Sequence, residues 1–333
     1  MLPFPTLTQG ITRMLLALTL LGCTQLMAEE RPLVLDPITV VASKRPVPLS
    51  EVAGQISVIT AGDIRTSMSG TLDDVLRYEP GVDVTTDGSR FGSESITLRG
   101  IGGNRVAIEV DGVPVRNGFA IGSYANAGRT MVETDRIKRL EILYGPASTL
   151  YGSDALGGVL AFTTWNPADL VGRTNGNRYA SLNGTTDSAD QSFALSGQAA
   201  LLQGPHGLLF SVTARDGHEL DSAAVDDEAL DPQDSSTRDY ALRYTYTSNY
   251  GDQFRIGVDH FERQTRTDVQ SLLGYGRFAR TTLLLGDDMD KRQQFLADYS
   301  FGRSWLDSGV VRAFLVNNQT HQNTIEERAP PPA

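Results

Sequence analysis

"YGPASTLYGSDALGGVLAFTTW", Tyr144–Trp165, sets four glycines, a proline and several small residues between a charged segment and an apolar, strand-forming run. A backbone that bends this often serves a phosphate cradle, a hinge, or a tight fold lodged inside something larger. The cradle fails on chemistry. No lysine lies between Arg139 and Trp165, so the stretch has no G-x-x-x-x-G-K-[ST]. "GIGGNR", Gly100–Arg105, lacks the third glycine of a dinucleotide fingerprint and leads into a strand rather than a helix.

Upstream, the pattern from Gly54 to about Thr164 is a compact α+β domain. "QISVIT" runs as a strand into "TAGD", where Thr60 and Asp63 have capping-box spacing. "TLDDVLRYEPG" repeats the device with Thr71 and Asp74, puts Leu72, Val75 and Leu76 on one face, and stops at Pro80-Gly81. "SITLRG" and "RVAIEVDGVPV" alternate apolar and polar residues, and Asp111-Gly112 marks a hairpin. "RIKRLEILYGP", Arg136–Pro146, carries a basic turn into the strand that meets the opening stretch.

Beyond Trp165 the texture becomes repeated alternating segments of about ten residues. Tyr240, Leu242, Tyr244 and Tyr246 share one face, as do Phe254, Ile256 and Val258, and Phe295, Ala297, Tyr299 and Phe301. "ASLNGTT", "SFALSGQAAL", "GLLFSVTAR" and "VVRAFLV" alternate more weakly. "GPHG" and "NYGD" read as tight turns, "GHELDSAAVDDEALDPQDSSTR" and "QTRTDVQSLLGYGRFARTTLLLGDDMD" as long connections. Aromatic apolar faces with alternating short and long connections predict membrane β-barrel strands, with a soluble sandwich as the alternative.

The N-terminus agrees with export. Arg13 precedes the apolar run Met14–Gly22, and "QLMA" ends at Ala28 before Glu29. The run is shorter than the roughly 20 residues of a spanning helix. The one cysteine, Cys23, lies within this signal; "LLGC" also resembles a lipobox that would make Cys23 a lipidated N-terminus. A net charge of −11 disfavours nucleic acid as a partner.

No enzyme is predicted: G-x-S-x-G is absent, and His206, His218, His260 and His321 have no H-x-x-x-H or H-E-x-x-H spacing. The acids of the first long connection, among them Asp221, Asp226 and Asp227, do not match a calcium loop, so no metal site is expected. "RPLVLDPITVVASKRPVPLS", Arg31–Ser50, reads as a tether, or as a strand offered to a partner's sheet edge.

In this order the parts resemble the N-terminal half of a TonB-dependent outer-membrane receptor. "LDPITVVASKRP" is similar to the TonB-box region, and "TLDDVLRYEPGVDV", "ITLRGIGGNRVAIEVDGVPV" and "RIKRLEILYGPASTLYGSDALGGVLAFTT" to successive plug motifs. Four segments are expected: signal peptide 1–28, TonB-box segment and linker 29–50, plug domain 51–165, and barrel strands 166–333.

The resemblance implies TonB-driven import across the Gram-negative outer membrane of an iron-bearing ligand. Haem or a haem protein is favoured over a ferric siderophore or vitamin B12. The haem or ferric chelate is cargo, and no intrinsic cofactor is implied. The partners implied are TonB with its inner-membrane energising complex, the ligand or haem protein, and outer-membrane lipid.

Carried over by residue, the strand for TonB is Asp36, Pro37, Ile38, Thr39 and Val40. Arg99 matches a plug arginine that faces barrel glutamates, whereas Tyr144 stands where a second basic residue is frequent. Apical plug loops carry the ligand-facing candidates Arg90, Arg116, Phe119 and Tyr124, and His218 is the first candidate from the barrel loops.

A plugged transporter barrel has about 22 strands. The chain has room for about seven or eight strands of roughly ten residues each. It ends in "EERAPPPA" rather than a closing strand, so the expectation is a truncated receptor. A non-transporting periplasmic binding fragment and a small lipoprotein are the alternatives.

Overall fold

The computed structural model describes residues 38–39, 41, 44, 47–52, 54–85, 90, 95–115, 132–220, 231–303 and 306–330. The strands that follow the first alternating segments build a five-stranded sheet. β1 (Ile38–Thr39) and β2 (Val47–Pro48) pair with each other, and β4 (Val82–Thr85) pairs with β5 (Ser95–Leu98). The larger sheet has the order β3-β8-β9-β6-β7, from β3 (Ile56–Thr60), β6 (Val106–Val110), β7 (Val113–Pro114), β8 (Ile137–Tyr144) and β9 (Gly158–Thr164). Only the β6–β9 pairing within it is parallel.

Helices cover one face of this sheet. α1 (Ala61–Thr66) and α2 (Leu72–Leu76) both start at the expected capping boxes, with Thr60 and Thr71 side chains accepting from the backbone of Asp63 and Asp74. Ile64, Leu72 and Leu76 from the helices pack with Leu140, Ile142 and Leu160 of the sheet, forming the main core. The opposite face holds a smaller cluster, Val41, Ala107, Ala155 and Val159.

The glycine-rich stretch folds back on itself between β8 and β9. Gly145 N–H donates to Gly157 O (3.0 Å) and Ala147 N–H to Ala155 O (2.8 Å), enclosing the short helix α3 (Ser148–Tyr151). Gly158 is the position that demands glycine: its φ is +148°, and a Cβ there would run into the Leu143 carbonyl and the Leu98 side chain. The stretch is a compact turn system closed by its own hydrogen bonds.

After Thr164 the chain enters α4 (Pro167–Val171), a short helix not anticipated from sequence, begun by Pro167 and by Asn166 N–H donating to Asp169 (3.0 Å). Seven antiparallel strands follow in sequential order: β10 (Arg178–Asp187), β11 (Ser192–Gln203), β12 (His206–His218), β13 (Gln233–Thr247), β14 (Gln253–Asp268), β15 (Thr281–Arg303) and β16 (Leu306–Arg328). Each contains one of the alternating segments, but β15 and β16 reach 23 residues, far beyond ten. The second long connection is correspondingly shorter than expected, because much of it is paired strand and only residues 269–280 lie between β14 and β15. Backbone pairing continues wherever a neighbouring strand supplies partners, whereas the apolar alternation marks only part of each strand.

This sheet, the wall, is apolar on its outer face and polar on its inner face. Leu195, Phe210, Tyr240, Leu242, Val258 and Phe295 point outward and are exposed, while Ser196, Ser211, Thr213, Asp239, Arg243 and Gln294 point inward and are buried against the α+β domain. That distribution reverses the one expected of a sheet in a soluble core. No helix among the described residues is long and apolar enough to cross a membrane, which says nothing of crossing by strands.

Candidate functional site

The α+β domain meets the wall through a continuous chain of ions, buried at Asp111, Arg136, Asp239, Arg243 and Asp298. Arg136 ends the short turn Thr134–Arg136 before β8, and its Nη1 donates to both carboxylate oxygens of Asp239 (2.9 Å each) while Nη2 donates to Asp259. Asp111 sits at the β6–β7 hairpin with φ +54°. It accepts from Thr164 N–H (3.0 Å), Thr164 Oγ1 (2.8 Å) and Arg243 Nη2 (2.6 Å), and Arg255 Nη1 approaches to 3.9 Å.

The chain of charges continues along the wall. Arg243 also reaches Asp259 (3.3 Å), and Arg255 and Arg312 both bind Asp298. A Cβ on Gly112, beside Asp111, would land on the Arg312 guanidinium, so glycine lets the hairpin tip approach the wall.

Electrostatics in this interface are set by the partners. Burial of Asp111 works against its charge, but Arg243 and Arg255 overcome it and hold the carboxyl well below the usual range. Burial likewise opposes the charge on Arg136, and Asp239 and Asp259 outweigh it. Ions so placed add little net stability when all are paired, but stranding one costs about 3–5 kcal/mol.

Higher on the same inner face, Arg90 makes a bidentate pair with Asp288 (2.9 and 2.7 Å), donates to Thr324 Oγ1 (2.7 Å) and to the Asn323 carbonyl (2.6 Å), and lies over Gly286. Its guanidinium ties this position of the α+β domain to β15 and β16. Arg215 on β12 similarly grips Glu133 (3.3 Å) and the Gly70 carbonyl (3.0 Å).

The segment ahead of the domain is held against the second face of the five-stranded sheet. Ile38 and Thr39 pair with Pro48 and Val47. Val41, 1% exposed, donates its N–H to Glu141 Oε2 (2.8 Å), and its carbonyl accepts from Tyr151 Oη (2.7 Å). Lys44 Nζ binds both Glu109 oxygens (2.9 and 2.8 Å) and sits 3.5 Å from the centre of the Tyr151 ring. The described residues of this run, Ile38, Thr39, Val41 and Lys44, are thus all bonded to their own chain.

Several expected positions land differently. Arg99 does not reach the wall: at φ +49° it is turned toward its own domain, where it donates to Gln55 and lies 5.1 Å from the Tyr144 ring centre. Among the described residues, Arg136 and Asp111 rather than Arg99 make the ion pairs to these seven strands. Arg90, expected to face a ligand, is instead engaged by the wall.

His218 ends β12 on the outer face and pairs with Asp234 (3.1 Å). It lines an open cleft of about 600 Å³ with Glu219, Arg266, Asp287 and Asn323. Asp36, Pro37, Val40, Arg116, Phe119 and Tyr124 lie outside the described residues, as do the signal segment and Cys23. No group of three or more His, Cys, Asp or Glu residues that could hold a metal occurs among the described residues.

Sequence reading missed Asp111, taken only as a turn residue, and Arg136, taken only as part of a basic turn. It also missed the wall charges, although a signal existed. In "RDYALRYTYT", Asp239, Ala241 and Arg243 alternate with the outward Tyr240, Leu242 and Tyr244.

Comparison with known proteins bears directly on this architecture. Residues 48–159 match the family model described as TonB-dependent Receptor Plug Domain. The chain is 36% identical over 129 residues to the vitamin B12 transporter BtuB of Vibrio vulnificus, an alignment covering 39% of this chain and 20% of that protein. It is 35% identical over 166 residues to the hemin receptor of Yersinia pestis, covering 49% of this chain and 23% of the relative.

Among solved structures, the FrpB iron transporter of Neisseria meningitidis superposes with a TM-score of 0.65 at 19% identity, over 81% of this chain and 42% of that one. The matches thus span about a fifth of each curated relative and less than half of the solved structure. Residues 48–159 thus belong to the TonB-dependent receptor plug-domain family, and together with the seven-stranded antiparallel wall that follows they share the fold of the solved iron transporter.

Proposed function

We propose that the protein carrying this chain is an outer-membrane transporter of a Gram-negative bacterium that imports an iron-bearing ligand. Haem or a haem protein stands ahead of a ferric siderophore or vitamin B12. Import is driven by strand addition of residues 36–40 to TonB.

One observation carries the reading: a compact domain is seated by buried ion pairs on the polar face of a sheet whose other face is apolar and aromatic. Such a sheet suits lipid outside and water inside, and a domain lodged on its inner face blocks passage until it is moved. Haem stands first because the similarity to the hemin receptor extends over 49% of the chain, against 39% for the B12 transporter. Arg116, Phe119 and Tyr124 are retained as proposed ligand contacts of the apical loops.

The test is growth of an iron-starved Gram-negative host stripped of its own haem and siderophore receptors. Expression is expected to allow growth on haem or haemoglobin as sole iron source, and loss of TonB to abolish it. Growth only on a ferric siderophore, or rescue only of B12 uptake, would reassign the ligand; growth without TonB would overturn the mechanism.

A further inference from the structure

The charges on the inner face of the wall beside the plug do not balance, counting the buried Asp239, Arg243, Arg292 and Asp298, the half-buried Asp259 and Arg255, and Arg312 at the exposed margin. Asp239, Asp259 and Asp298 stand with Arg243, Arg255, Arg292 and Arg312, whereas the plug adds one charge of each sign, Asp111 and Arg136. Arg292 is the surplus cation. It is 4% exposed, its Nη2 donates to Gln294, and its Nη1 has no hydrogen-bond partner among the described residues.

Strand register explains why it is tolerated there. Asp259 lies opposite Gln294 on β15 and opposite Ala241 on β13, so Arg292 and Arg243 are its diagonal neighbours on either side. Diagonal neighbours sit about 7–8 Å apart, within reach of an arginine side chain. Asp259 is therefore ringed by three cations: Arg136 from the plug, and Arg243 and Arg292 from the wall. Arg243 already touches it at 3.3 Å, and Arg292 does not pair with it in this state.

We propose that Arg292 is a positioning residue that makes the plug's ion pairs exchangeable, taking over Asp259 when Arg136 withdraws. The plug brings no net charge to the patch, and the wall retains a cation for each carboxylate once the plug moves. Arg292 thus competes with Arg136 and weakens the seating of the plug. The proposal rests on the reading of the chain as a plugged transporter. A surplus cation that merely filled space would have the opposite consequence, since removing it would loosen the interface.

The opposed signs define the experiment. Ser211 is buried on the inner face and lines a small cavity with Arg136 and Arg243, so a thiol placed there is shielded while the plug is seated. The full chain with Ser211→Cys in a Cys23→Ser background is titrated with urea in detergent, and reaction with a small water-soluble maleimide is followed. Arg292→Gln is expected to raise the urea midpoint for labelling and to slow labelling in buffer on the order of fivefold, the scale of one ion pair.

Arg292→Lys should behave as the parent. Arg136→Gln should lower the midpoint, and adding Arg292→Gln to it should give no increase, because the competitor has nothing left to compete with. An unchanged or lowered midpoint for Arg292→Gln overturns the proposal. So does loss of the sheet in both Arg292→Gln and Arg292→Met, which would make the residue structural. Labelling reads plug seating without any ligand, so a failed uptake assay and a failed midpoint shift are separate results.

Discussion

At the residue scale, the interface concentrates its energy in two plug side chains. Arg136 satisfies two buried wall carboxylates, so Arg136→Gln strands Asp239 and weakens Asp259. The expected cost is about 3–5 kcal/mol, read as a lower urea midpoint for plug release. A cost below about 1 kcal/mol would mean that the pair behaves as an exposed one.

Asp111 gives the pH dependence. Its pKa is lowered in the folded state relative to the unfolded chain, so the native state binds fewer protons. Its contribution is present above the ordinary aspartate range of about 4 and is lost as pH falls through the depressed native value. Plug release in urea should therefore ease on acidification below that range, and Asp111→Asn should remove that part of the acid sensitivity. A slope in Asp111→Asn equal to that of the parent would show that other carboxylates govern it.

At the element scale, the two N-terminal strands matter more than their length suggests. β1 is two residues long, and its pairing with β2 competes for the same backbone groups that strand addition to a partner needs. Ile38→Pro removes a donor N–H and fixes φ, so uptake should be abolished with ligand binding intact. Uptake that survives this change would exclude residues 36–40 as the partner-binding strand.

The helices were plain from the chain alone because capping boxes are local. Thr60 with Asp63 and Thr71 with Asp74 each lie within one turn, and both formed as their spacing implies. Helix α4 escaped notice because its five residues offer too little periodicity, although Pro167 at its first turn was a usable signal.

At the scale of the whole molecule, the wall sorts its side chains by solvent. Leu242 is exposed on the outer face between Tyr240 and Tyr244, where, on the proposed reading of the wall as a membrane sheet, an arginine would meet hydrocarbon. Leu242→Arg should destabilise the membrane-inserted sheet by about 2–4 kcal/mol, falling toward zero if the site lies at the interface. The measurement is the denaturant midpoint of the strand signal in lipid vesicles. No loss at position 242 together with none at Val258 would argue against a lipid-facing surface.

Much of the fold was readable along the chain because it depends on short periods. Alternation at every second residue exposed all seven wall strands and their outward aromatic faces, and Asp111-Gly112 marked its hairpin. For the Tyr144–Trp165 stretch the spacing excluded a phosphate cradle, and the hydrogen bonds Gly145–Gly157 and Ala147–Ala155 decided for a compact fold over a hinge. Strand ends were missed where polar residues stay paired, since hydrogen bonding in a ladder does not require apolar side chains.

The charged site was not readable in this way. Arg136 and Asp239 are 103 positions apart, Arg243 and Asp111 132, and Arg90 and Asp288 198. No local pattern specifies which of the chain's 29 basic and 40 acidic side chains will meet. Arg99 looked suitable by motif, but its backbone at φ +49° turned it toward Gln55, and the wall was met by Arg136 and Asp111. Local periods set the elements; close packing and the cost of burying an unpaired charge selected the partners between them.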